Sequence, residues 1–177
     1  MLIIYTGNGK GKTSAAMGNV FRALGHGMKV LVIQFFKGDW PVVFGELESA
    51  KKHPNLEFLQ LGEGFVKIMG DKKPLSVHRK AAESAFKTAE QKILSKKYDL
   101  VVLDEMIYAL DYQKTAGLIS LDKLLKLVKK IPLQTYLVLT GRNAHPKLIK
   151  EADLVTEIKE IKHPFQKGIP ATKGIDY

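Results

Sequence analysis

At 177 residues, 45% of them apolar, the chain suits one domain (1–177) with a substantial core, and wholesale disorder is excluded. A net charge of +10 favours an anionic partner, whether nucleotide, nucleic acid or a carboxylate-bearing metabolite, while the lack of cysteine excludes disulfides, thiolate metal sites and cysteine nucleophiles and fits a reducing cytoplasm. No apolar run approaches the roughly 20 residues of a membrane span, and no basic-then-apolar leader precedes the first strand, so neither membrane insertion nor export is expected.

Leu2-Ile3-Ile4 opens the chain as a strand, and Tyr5-Thr6-Gly7-Asn8-Gly9-Lys10-Gly11-Lys12-Thr13-Ser14 follows as a glycine-rich turn running into a helix. Glycines at 7, 9 and 11 let the backbone turn tightly enough for successive N–H groups to face an anion, and the helix start adds its own free N–H groups. Lys12 supplies a mobile cation for phosphate oxygens, and the Thr13 hydroxyl stands where phosphate-loop proteins bind magnesium. The stretch Gly7 to Ser14 is thus a polyphosphate cradle. Thr6 occupies the place of the usual first glycine, which makes the loop a variant and leaves the turning to Gly7.

From Thr13 to Leu24 the residues Ala15, Ala16, Val20, Ala23 and Leu24 mark a helix face, stopped by Gly25 and Gly27. Lys29 to Phe36 is a strand buried on both sides, ending in Gln34-Phe35-Phe36-Lys37-Gly38 at the sheet edge that carries the phosphate loop. Asp39-Trp40-Pro41 is a loop, Val43 to Lys52 a short helix, and Leu56 to Leu61 a third strand, followed by a loop that bears Gly64-Phe65. Pro74 opens a long helix to about Lys96, with Leu75, Ala82, Ala85, Phe86, Ala89 and Ile93 on its buried face and His78 and Arg79 on its wetter side.

Tyr98 to Glu105 is a buried strand that terminates in two acids. Either Asp104 or Glu105 could reach a magnesium ion held by Thr13, since both elements finish at one edge of the sheet. Ser120 caps a helix to Ile131, and Gln134 to Arg142 is another strand whose following loop brings Arg142 near the nucleotide edge or leaves it in solvent. His145-Pro146 starts a short helix to Ala152, and Leu154 to Ile161 alternates as an edge strand. The tail from His163 to Tyr177 has no recognisable period. Strands alternating with helices make the fold α/β, with a mainly parallel sheet and helices on both faces.

On these residues the chain resembles the P-loop ATP:corrinoid adenosyltransferases, the cob(I)yrinic acid a,c-diamide adenosyltransferase family, over nearly its full length. The likeness rests on Tyr5 to Thr13, Gln34-Phe35 with Lys37-Gly38, Gly64-Phe65, Leu103-Asp104-Glu105, Thr140-Gly141-Arg142, and an ending of Lys162-His163-Pro164-Phe165, Lys167-Gly168-Ile169 and Gly174-Ile175-Asp176-Tyr177. The threonine-for-glycine loop is the family's own. The resemblance implies a P-loop NTPase-like, RecA-like fold and transfer of the 5′-deoxyadenosyl group of ATP to a reduced corrinoid cobalt with release of triphosphate, in adenosylcobalamin biosynthesis or salvage.

In that family Gly7, Asn8, Gly9, Lys10, Gly11, Lys12, Thr13, Ser14 and Arg142 correspond to the ATP site, and Thr13 and Glu105, with Asp104 as the fallback, to the positions for magnesium or manganese. Phe65 would press on the lower face of the corrin and displace its axial ligand, serving with Lys12 in catalysis. The family's tryptophan two residues beyond that phenylalanine is replaced here by Lys67. The chain also begins at its first strand, without the N-terminal helix that covers a partner's site in some members. A cytoplasmic homodimer served by a reductase is the implied setting, with no nucleic acid or membrane partner. Two other readings remain open on the residues alone: a RecA-like ATPase acting with nucleic acid, and a nucleotide-sensing binding protein.

Overall fold

The computed structural model describes residues 1–38, 43–68, 70–111 and 115–177. The expected Asp39-Trp40-Pro41 loop lies outside the described residues. Six parallel strands, β1 (Leu2–Thr6), β2 (Val30–Gln34), β3 (Leu56–Gln60), β4 (Leu100–Asp104), β5 (Tyr136–Thr140) and β6 (Leu154–Glu157), form one sheet in the order β3-β2-β4-β5-β1-β6.

Alternation within each strand divides the core in two. Leu2 and Ile4, Leu31 and Ile33, Val101 and Leu103 face one side, whereas Ile3, Val30, Val32, Leu100 and Val102 face the other. The second side is covered by α1 (Lys12–Gly25) through Ala16, Val20 and Ala23. The first is covered by α3 (Leu75–Leu94), α4 (Met106–Leu110), α5 (Leu121–Val128) and α6 (Pro146–Glu151), with α2 (Gly45–Ala50) beside β3. Because β2 and β4 are buried on both faces, each of their Leu and Ile side chains contributes roughly 1.5–3 kcal/mol of burial. No helix among the described residues is long and apolar enough to cross a membrane.

The predicted elements stand in the predicted order, with ends shifted. Ser120 does cap α5, accepting from the Lys123 N–H. The last strand stops at Glu157, four residues short, because the Ile158 carbonyl accepts from Gly9 N at 2.8 Å and ties the chain to the glycine-rich loop instead of extending the ladder. Helix α4 falls where no element was expected; at five residues it is too short to give a period. His78 is also a correction. It is 1% exposed, not on the wet side of α3, because its Nε2 reaches Asp71 at 2.9 Å, and Asp71 also accepts from the N–H groups of Lys67 and Lys73. The side chain therefore closes the base of the loop that carries Phe65.

Candidate active site

Parallel register brings the C-terminal ends of β1, β2, β4 and β5 to one edge, with Gln34 level with Asp104 and Tyr5 level with Thr140. The glycine-rich loop leaves β1 there. Gly7 has φ +102°, and a Cβ on it would lie 2.4 Å from the Ile158 carbonyl oxygen, so this residue makes the turn and must be glycine. Thr6 is not idle: its buried hydroxyl accepts from Ala144 N at 3.1 Å, fastening the loop to the β5–α6 connection that carries Arg142.

Helix α1 starts after Gly11 at φ +116°, without a side-chain cap and without an acid in its first turn. Its N-terminal N–H groups therefore face the loop with their partial positive charge uncompensated. Lys12 is 7% exposed, and its ammonium donates to Gly7 O at 2.9 Å and Gly9 O at 2.7 Å, folded back over the turn. Burial lowers its pKa, an effect opposed by Glu105, reinforced by Arg142 and opposed again by Asp104.

The two acids after β4 have different surroundings. Asp104 is fully buried: Oδ1 accepts from Thr13 Oγ1 at 2.9 Å and Thr140 Oγ1 at 2.7 Å, and Oδ2 accepts from Gln34 Nε2 at 3.0 Å with the Lys37 ammonium 3.6 Å away. Gln34 is itself held by Gln60 at 2.9 Å. Asp104 thus aligns Thr13 from behind. Glu105 takes a left-handed backbone, φ +61°, fixed by its N–H donating to Thr140 Oγ1 at 2.9 Å, and turns into the cavity. Burial, then repulsion from Asp104, pushes its carboxyl up to about 7 against the pull of Lys12, Lys37 and Arg142.

A cavity of about 710 Å³ joins these groups, and its walls include Asn8 to Ser14, Lys37, Glu105 and Arg142. Every predicted nucleotide residue lies on it except Gly7, which shapes the loop from behind. Thr13 and Glu105 share its wall, while Asp104 does not reach it. Hydroxyl and carboxylate oxygens are the hard donors that magnesium or manganese takes. Among the described residues no three His, Asp or Glu side chains cluster as a ready metal site.

Phe65 lies off this wall. It stacks on Phe36, centroids 5.6 Å apart and planes 22° apart, and meets Tyr108 of α4 edge-on at 5.3 Å. Four contributors escaped the sequence reading: Gln34 and Thr140 as props of Asp104, Lys37 as its counter-ion, and the segment Gly174 to Tyr177 as part of the cavity wall. The Gly174-Ile175-Asp176-Tyr177 ending, one of the stretches on which the family resemblance rests, was the available signal for the last.

A glycine-rich loop at a helix start, an acid-terminated strand β4 separated from β1 by β5, and a parallel sheet between two helical layers define a P-loop nucleotide-binding protein of the RecA-like type. The whole chain, residues 1–177, matches the family described as ATP:corrinoid adenosyltransferase BtuR/CobO/CobP. Among its relatives is a corrinoid adenosyltransferase of Pseudomonas aeruginosa, 40% identical over all of this chain and 83% of the relative. Others are those of a Sinorhizobium species, 39% identical over all of this chain and 80% of the relative, and of Escherichia coli K12, 36% identical over all of this chain and 85% of the relative. Among solved structures, a KaiC-like protein of Pyrococcus horikoshii gives a TM-score of 0.49 at 14% identity, over 91% of this chain and 74% of that one, a likeness too loose to bear on function. The chain belongs to the ATP:corrinoid adenosyltransferase family. Its substrates as a member are ATP and a corrinoid.

Proposed function

We propose that this chain, acting as one unit in a reducing cytoplasm, transfers the 5′-deoxyadenosyl group of ATP to the cobalt of a reduced corrinoid and releases triphosphate. The observation that carries the reading is the anion cradle of Gly9 to Ser14 sharing a cavity wall with Glu105, in a chain of this family. Cobalt(I) brings its own electron pair and no proton, so the Co–C5′ bond forms as the C5′–O bond breaks, and the bond's electrons leave with triphosphate. No general base is required. What the protein must supply is alignment and a stabilised leaving group.

The N–H groups at the start of α1 are fixed by the fold and need no reorganisation as charge develops on the leaving oxygen. Lys12, now bonded to two loop carbonyls, would exchange them for phosphate oxygens, and Arg142 adds a second cation on the same cavity. Thr13 and Glu105 would hold magnesium or manganese, with Asp104 keeping the Thr13 hydroxyl in place. Such an ion, when bound, would neutralise part of the triphosphate charge. Phe65, backed by Phe36 and Tyr108, would press on the corrin from a rigid aromatic support, favouring loss of the lower axial ligand. A reductase as electron donor and a homodimer complete the reading.

The test is product identity. Protein incubated with magnesium-ATP and chemically reduced cobalamin should yield light-sensitive adenosylcobalamin and triphosphate in equal amounts; ADP and phosphate as the only products would overturn the proposal.

A further inference from the structure

The segment Thr172–Tyr177 closes one side of the nucleotide cavity, and the adenosyl chemistry above makes no use of it. It is folded on itself. Thr172 N donates to Asp176 Oδ2 at 2.7 Å, Thr172 O accepts from Ile175 N at 3.1 Å and Asp176 N at 2.8 Å, and Gly174 N donates to Tyr177 O at 2.7 Å. The other oxygen of Asp176, Oδ1, pairs with the Lys10 ammonium of the phosphate loop. At the far side the Tyr177 backbone lies against Gly45, where α2 begins, so the segment runs along the cavity wall from loop to helix.

Little else anchors it. No residue from 159 to 177 is buried, and Ile161, Phe165 and Ile175 are 92%, 79% and 73% exposed. A segment without apolar anchorage that is tied to a phosphate loop by one ion pair is held by a bond that a stronger anion can take. Lys10 sits between Gly9 and Gly11 on the cavity wall, where an entering triphosphate brings several negative charges against the single charge of Asp176.

We propose that Asp176 is an internal competitor for the triphosphate: it holds Lys10 while the phosphate site is empty, yields it when triphosphate binds, and reclaims it as triphosphate leaves. Thr172–Tyr177 is thereby docked over the empty cavity and released from the filled one. Asp176 is a positioning residue, acting through Lys10. The inference rests on reading this cavity as the triphosphate site.

Calorimetric titration of the full chain with inorganic tripolyphosphate, magnesium present, tests it. With the pair about 41% and 24% exposed, Asp176→Asn should tighten tripolyphosphate binding by roughly three- to fivefold. Asparagine keeps an oxygen for the Thr172 N–H, so the turn survives. A general effect of removing negative charge would persist without Lys10, whereas competition for Lys10 would not. In a Lys10→Gln background, Asp176→Asn should therefore change nothing further. In the unaltered protein, saturating tripolyphosphate should speed hydrogen exchange at the Gly174, Ile175 and Asp176 amides. Unchanged or weaker binding by Asp176→Asn, the same gain in the Lys10→Gln background, or slower exchange would each overturn the proposal. These measurements need no corrinoid: tighter binding with no adenosylcobalamin formed would sink the function proposed above and leave this inference standing, and the opposite pair of results would do the reverse.

Discussion

Replacing Glu105 by glutamine should make the empty protein more stable and the enzyme worse. Its carboxyl is raised from an ordinary 4.5 to about 7, first by burial and then by Asp104. The unfolded chain loses this proton near 4.5 and the folded chain only near 7, so the folded state is favoured while Glu105 keeps its proton and loses that advantage as pH climbs through 7. At 1.36 kcal/mol per tenfold change, the penalty of holding Glu105 ionised in the fold reaches about 3 kcal/mol at pH 8 and falls under about 1 kcal/mol at pH 5. Glu105→Gln, neutral at every pH, should therefore gain about 3 kcal/mol over the parent at pH 8 and little at pH 5. Urea unfolding at the two pH values, without divalent metal, measures this. Magnesium-ATP should stabilise the parent strongly at pH 8 and the variant much less, since Glu105 is the acid that shares the cavity wall with Thr13. An equal gain at both pH values would mean that packing and not ionisation is responsible, and a loss at pH 8 would refute the reasoning outright.

Lys12→Ala should cut adenosyl transfer by about 10²- to 10³-fold, the usual effect of losing one preorganised charge at a leaving group, as read by adenosylcobalamin formation under saturating ATP. Phe65→Ala should chiefly impair reaction starting from cob(II)alamin with a reductant and largely spare reaction from preformed cob(I)alamin; equal losses in the two assays would contradict its place beside the corrin. Gly7→Ala should abolish nucleotide binding, followed calorimetrically, because the added Cβ meets Ile158 backbone atoms at 2.4, 2.8 and 3.0 Å at a positive φ, and a shift of either strand end would collapse the loop.

Much of this protein is local, and local features are legible in a linear chain. The glycine spacing from 7 to 11, the unbroken apolar runs of β2 and β4, the Ser120 cap and the paired acids at 104 and 105 each express a backbone or burial requirement met within a few residues. That is why element order, the parallel sheet and the glycine-rich turn could be read directly. The division of labour between Asp104 and Glu105 could not. It depends on Thr13, Gln34, Lys37 and Thr140, from three separate segments, converging on one carboxylate while the αL backbone of the next residue turns its own carboxyl into the cavity.

The same holds for His78, buried by a loop seven residues upstream, for Thr6, whose odd presence in a phosphate loop is explained by Ala144, and for the tail, aperiodic in sequence yet part of the cavity wall. Turn chemistry and hydrophobic period are properties of neighbours along the chain, so the sequence alone determined the order of the strands and longer helices and the glycine-rich turn between β1 and α1. Charge balance and hydrogen-bond partnership belong to neighbours in space, and only the packed sheet, by bringing four strand ends to one edge, decided which acid faces the cavity and which one braces Thr13 from behind.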